Sequence, residues 1–293
     1  MMKMIFGMLA ICLTLNILAD GVLTEADLTV AAQLRDEAMK QTKAFDIVES
    51  LTTEVGPRRA GTPGDRAAVA WAQAKLKELG FDKVWTEEVT FPNWIRGDEH
   101  CEVLSPFPQE LHITALGTSV GTPDEGVSAE IVEVATLEDL KTTDPAAVKG
   151  KIVFINNQME RAKTGRGYGK AVVARQSGAS EAAKLGALAV LIRSIGTDSH
   201  RFPHTGVMTY QEDVNKIPAA ALSNPDANLL QNMLKRGKPV TVRLKLTSRD
   251  GGMGVSYNVI GEMTGSEKPH EVVLLGAHLD SWDLGTGALD DGA

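Results

Sequence analysis

Apolar positions along this chain follow three spacings, and each predicts a different element. Leu28, Ala31, Leu34 and Met39 share a helical face within a pattern running from Leu23 to about Leu51. Thr62-Pro63-Gly64-Asp65 has the form of a capping box with proline in the first helical turn, and Val69, Ala72, Leu76 and Leu79 then recur at helical spacing until Gly80 ends the run. This predicts a second helix. Residues 84–91 alternate as a strand does, and Pro92-Asn93-Trp94 is expected to break it.

From 127 to 250 the texture changes to short apolar runs at 129–134, 151–156, 188–193 and 240–246, separated by turns marked with glycine and proline. An alanine-rich helical stretch from Lys170 to Leu185 leads directly into Gly186-Ala187-Leu188-Ala189-Val190-Leu191-Ile192, the β/α alternation of a small mixed sheet. These residues read as a separate domain inserted between 20–126 and 251–293. In the last segment Glu271-Val272-Val273-Leu274-Leu275-Gly276-Ala277-His278 is almost wholly apolar. Such a run predicts a strand covered on both faces, at the centre of an α/β sheet. No helix follows it before Ala293 to cover it, so the expectation is an incomplete sheet domain whose last strand exchanges its amide hydrogens quickly.

The first residues change the cellular picture. Lys3 precedes an apolar run from Met4 to Leu18 that ends in Ile-Leu-Ala before Asp20, which predicts a signal peptide over 1–19 and a secreted or periplasmic product, or a lysosomal or secretory-pathway one in a eukaryote. The run is short for a membrane span of about 20 residues, so no membrane association is expected after cleavage. Cys12 falls within this signal and leaves Cys101 alone, which excludes an internal disulfide framework. The net charge of -8, with no long Lys/Arg run, excludes the electrostatic footprint of a nucleic-acid binder.

Candidate chemistry is concentrated in the segment from His278 to Gly292, which contains Asp280, Asp283, Asp290 and Asp291. His278 and Asp280 would leave the end of a buried strand on the same side, where α/β proteins place their ligands. A neutral imidazole ligates zinc well, and a neighbouring carboxylate can hold its orientation and raise its basicity. Asp290 would return through a glycine-rich loop and bridge two metal ions about 3.5–4 Å apart. A lone histidine in such a place would more simply be a core residue with capping aspartates around it. Four acidic residues within thirteen positions of His278, after a dry strand, favour a metal.

The stretch Gly276-Ala277-His278-Leu279-Asp280-Ser281-Trp282-Asp283 resembles the first metal-binding motif of the M28 zinc peptidases. Gly56-Pro57-Arg58, Pro92-Asn93-Trp94-Ile95-Arg96-Gly97, Leu116-Gly117-Thr118-Ser119-Val120-Gly121-Thr122-Pro123, Pro203-His204-Thr205-Gly206 and Lys216-Ile217-Pro218-Ala219 are similar to that family in the same order. The resemblance implies a dizinc exopeptidase acting on dipeptides or short peptides, with 127–250 as its protease-associated domain. It implies that His278 binds one zinc, Asp290 bridges both, and Asp280 supports His278 as the catalytic-site carboxylate. It also implies a cis peptide between Asp290 and Asp291, a homodimer, and further ligands with a glutamate general base beyond Ala293, so the chain as given is expected to bind zinc weakly and to turn over no dipeptide.

Two other motifs fail on context. Gly117-Thr118-Ser119-Val120-Gly121 fits the serine nucleophile pattern, but Pro123 and a strand follow where a helix is required. Gly165-Arg166-Gly167-Tyr168-Gly169-Lys170 lacks the phosphate-loop spacing and has Ala171 in place of the hydroxyl residue. Of the other histidines, His204 is the one expected to face a substrate. The rival readings are a non-catalytic binding protein built on the same two-domain plan, or an inactive product.

Overall fold

The computed structural model describes residues 23–41 and 43–289, a mixed α/β protein. The expected signal peptide and Asp290 lie outside the described residues. Helix α1, Glu25–Ala38, starts at Thr24, whose Oγ1 accepts from the Asp27 amide while the Asp27 carboxylate accepts from the Thr24 amide. Chain direction then changes, and α2, Lys43–Ser50, runs into a π-helical turn at Leu51–Val55. The single helical pattern expected up to Leu51 is therefore divided in two. Its apolar face is uncovered among the described residues, with Leu28, Leu34 and Met39 all exposed.

Helix α3, Pro63–Glu78, begins where the sequence predicts, with Thr62 accepting from the Asp65 amide. Asp65 is buried because it also accepts from the Gly61 amide and from Ser256 Oγ. Helix α3 thereby packs on a two-stranded antiparallel ribbon formed by β1, Lys83–Ile95, and β10, Arg249–Glu262. Strand β1 does not end at Pro92 as expected. The ladder shifts register between Pro92 and Trp94 and continues to Ile95, since a two-stranded ribbon always has an open side on which proline's missing donor costs nothing.

The second sheet has eight strands in the order β3-β2-β9-β5-β6-β7-β8-β4. Its members are β2 Glu99–Ser105, β3 Gln109–Glu110, β4 Ile113–Ala115, β5 Val127–Val134, β6 Ile152–Ile155, β7 Ala189–Arg193, β8 Ala219–Leu222 and β9 Thr241–Leu246. Strands β5 to β8 are parallel, and β4 and β9 close on them antiparallel. Three strands of this sheet precede residue 127, where the sequence reading had placed the start of the inserted unit. The sheet extends from Glu99 to Leu246, and two short helices, α4, Leu137–Lys141, and α5, Pro145–Val148, connect β5 to β6.

Side chains alternate between two cores, one on each face, as a pleated strand requires. Ile152, Phe154, Leu191 and Leu222 point to one core, where helix α7, Asn224–Leu234, contributes Leu230 and Met233. Val153, Ile155, Val190 and Ile192 point to the other, against Ala171, Ala174, Ala179 and Ala182 of α6, Gly167–Lys184. Small α6 residues let the helix approach closely: a Cβ on Gly178 would lie 2.8 Å from Ile155 Cδ1.

The segment 271–280 departs from expectation. It has no regular secondary structure and belongs to no sheet, and Val272, Val273, Leu274 and Leu275 are 84–90% exposed. Among the described residues no strand lies beside it to complete a ladder and no helix covers it. The expected α/β/α sheet domain is represented here by the ribbon, α3 and this unpaired segment.

Candidate metal loop and cleft

The loop from 278 to 289 is built on the first chain segment by a buried arginine. Arg58, 3% exposed, sits in the turn before α3 and directs its guanidinium at main-chain carbonyls. Nε donates to Leu279 O at 2.6 Å, Nη1 to Thr286 O at 2.5 Å and to Gly56 O at 3.2 Å, and Nη2 to Gly287 O at 2.8 Å. Ser281 adds a reciprocal pair, its Oγ accepting from the Arg58 amide at 3.2 Å and its own amide donating to Arg58 O. Gly287 is required at the crossing: its φ is +60°, and a Cβ there would lie 2.4 Å from Ser281 Cβ. Burial lowers the Arg58 pKa from its ordinary value, an effect the nearby Asp280 charge partly offsets.

A second arginine holds the middle of the loop. Arg96 forms a two-pronged pair with Asp283, Nε to Oδ2 at 2.8 Å and Nη2 to Oδ1 at 2.9 Å. Its guanidinium lies 5.1 Å from the Trp94 ring and 5.9 Å from the Trp282 ring. Burial works against the Asp283 carboxylate, but the Arg96 hydrogen bonds and charge, helped by Arg59, outweigh it and hold the carboxyl below its usual range. Arg59 stacks over Trp94 at 5.3 Å and donates to Trp94 O.

Within this frame His278 and Asp280 come together, as the sequence predicts, though not from the end of a strand. His278 folds back on its second neighbour, with Nδ1 2.8 Å from Asp280 O and 3.2 Å from Asp280 Oδ1. Two acceptors at Nδ1 place a proton on that nitrogen. Both side chains are about half-exposed, at 44% and 45%. Among the described residues no group of three or more His, Cys, Asp or Glu side chains converges as metal ligands. The described donor set therefore fits one imidazole ligand with an orienting carboxylate, not a closed zinc site, which needs three or four protein ligands.

His278 and Asp280 form one wall of a cleft of about 650 Å³. The opposite wall comes from the eight-stranded unit, through His200, Phe202 and His204 in the loop after β7. His204 thus lines the same cleft as His278. Arg175 Nη1 and Tyr168 OH each lie 3.3 Å from His204 Nε2, and since a guanidinium only donates, Nε2 is the acceptor. Ser119 is 1% exposed, donates to Val120 O and accepts from the Ala219 amide, so it serves as a buried structural hydroxyl. Arg58, Arg96 and Asp283 carried no role in the sequence reading. The arginine partners lie 187 to 229 positions away, and most are main-chain carbonyls, which leave no side-chain signature.

The model of peptidase family M28 matches residues 258–293. Carboxypeptidase Q of Bos taurus is 40% identical over 252 residues, which is 86% of this chain and 52% of that protein, and the Homo sapiens protein is 38% identical over the same length. The chain spans about half the length of the curated relatives it matches. A crystal structure of a peptidase M28 precursor from Shewanella amazonensis superposes with a TM-score of 0.85 at 53% identity, covering 89% of this chain and 59% of that one. A zinc aminopeptidase from Bacillus subtilis shares the fold, with a TM-score of 0.56 at 23% identity.

Proposed function

We propose that this chain, which is similar to carboxypeptidase Q and is matched at 258–293 by the model of peptidase family M28, belongs to an exported zinc exopeptidase that hydrolyses dipeptides or short peptides. The observation that carries the proposal is the His278 and Asp280 pair at the wall of the cleft, where the Asp280 carboxylate lies 3.2 Å from Nδ1 and orients the ring. In this reading His278 and Asp290 would hold zinc, and Asp280 would fix the tautomer and ring orientation of His278. Bound zinc would supply a coordinated water of lowered pKa and a Lewis acid for the scissile carbonyl. The residues described here bind and orient: Arg58 and Arg96 seat the loop, while Phe202 and His204 on the facing wall limit the length of peptide that enters. The eight-stranded unit would be the family's protease-associated insertion, with boundaries nearer Glu99 and Leu246 than 127 and 250.

The test is hydrolysis of a dipeptide panel by the protein expressed from its complete gene. Activity should require zinc, disappear with chelator, and fall about 10- to 100-fold in Asp280→Asn, the range expected for a residue that orients a metal-bound histidine. Hydrolysis that persists in His278→Ala would overturn the assignment. Mass measurement of the exported protein tests the signal peptide, with a new N-terminus at Asp20 as the expected result.

A further inference from the structure

Arg96 lies in the short link between the ribbon and the eight-stranded sheet, and behind the cleft its side chain contacts both the loop that carries the His278 wall and the sheet that carries the His204 wall. Toward His278 it holds the Asp283 carboxylate with Nε and Nη2. Toward the sheet its Nη1 donates to Glu99 Oε1 at 2.9 Å, to Thr114 Oγ1 at 2.9 Å and to Ala115 O at 2.7 Å. Ala115 O also accepts from Thr205 Oγ1 at 3.2 Å, and Thr205 adjoins His204 on the facing wall. A continuous chain of polar contacts therefore runs from Asp283 through Arg96 and Ala115 to Thr205. Arg96 is 7% exposed and lies against the Trp94 and Trp282 rings, so the guanidinium cannot swing to another partner without leaving charges buried and unpaired.

We propose that Arg96 is a positioning residue that fixes the width of the cleft by tying the His278 wall to the His204 wall. A planar fork with donors on two edges can hold both walls at once, whereas the single ammonium of lysine, on a flexible stem, can satisfy one. The link itself requires no metal. Only its consequence for substrate length rests on the peptidase reading.

The experiment places spin labels on the two walls, at Phe202→Cys and Gly285→Cys, both exposed positions that line the cleft, in the 293-residue chain. Distance distributions are then measured with Arg96, with Arg96→Lys, with Asp283→Asn and with both changes. The expected result is a single narrow distribution that at least doubles in width in each single variant and widens no further in the double, because the two residues act as one unit. Asp283→Asn keeps side-chain shape and lies at the more open end of the contact, so it serves if Arg96→Lys does not fold. An unchanged distribution in the folded variants, or broadening that adds in the double, overturns the proposal. In the active protein the same substitutions should narrow its preference for dipeptides over tripeptides at least threefold through KM, with a smaller change in kcat. If the distances respond but no dipeptide is hydrolysed by any form, the link stands and the peptidase reading fails.

Discussion

Replacing Arg58 with methionine keeps the apolar stem in its buried slot and removes the four hydrogen bonds of the guanidinium. Three of those bonds cross from the first segment to the loop, at Leu279, Thr286 and Gly287. A hydrogen bond from a charged group is worth roughly 1.5–3 kcal/mol net, but the freed carbonyls lie near solvent and regain water, so about 1 kcal/mol each is the appropriate figure. The loop then loses about 3 kcal/mol of attachment, and its opening equilibrium rises about 150-fold. Native-state proteolysis reads this directly, because cleavage of a transiently opened segment follows the open population when closing is fast. Leu279, Trp282 and Leu284 provide chymotrypsin sites inside the clamped stretch. Cleavage there should accelerate on the order of 100-fold in Arg58→Met, with the thermal midpoint of the eight-stranded unit unchanged. Equal cleavage rates in both proteins would show that the carbonyl contacts do not hold the loop.

Leu275→Gln should leave the urea midpoint of this chain within experimental error, because the side chain is already in water; a fully buried leucine would lose roughly 1.5–3 kcal/mol. Cys101 is fully buried and its thiol is pushed far above the ordinary range by desolvation, then by Asp226 and Glu102. It should resist alkylation at pH 8 in the native chain and react on unfolding, and rapid native labelling would contradict the core placement. Asp283 has a depressed folded-state pKa, so the stability it contributes is present above its unfolded value of about 3.9 and is lost as pH falls through the folded value. The stability gap between the parent and Asp283→Asn should therefore be constant near neutrality and shrink below about pH 3.9, and a gap that grows on acidification would refute the ion pair.

Much of the eight-stranded unit was legible because its residues meet their partners within it. Ile152-Val153-Phe154-Ile155 reads as a strand covered on both faces, and α6 and α7 do cover it. Thr62, Pro63 and Gly80 mark the limits of α3 through local backbone chemistry alone. Val272-Val273-Leu274-Leu275 carries the same signal as the β6 run and is exposed. An apolar pattern records what a segment is suited to bury and not whether a neighbour is present. Strands β2 and β4 are broken by polar residues, and their place in the sheet comes from long-range ladders with β9 and β8, while the two-residue β3 joins only through β2. At the site, His278 and Asp280 were found because they lie two positions apart. The arginines that seat them were not, because their acceptors are distant.

The central claim is that His278 is a zinc ligand oriented by Asp280. Anomalous scattering at the zinc edge, from crystals of the protein expressed from its complete gene and grown with zinc, addresses it most directly. Two zinc peaks are expected, one bonded to Nε2 of His278 and both bonded to Asp290, with Nδ1 still facing Asp280. Zinc bound elsewhere, or at Nδ1 with Asp280 turned away, would contradict the account.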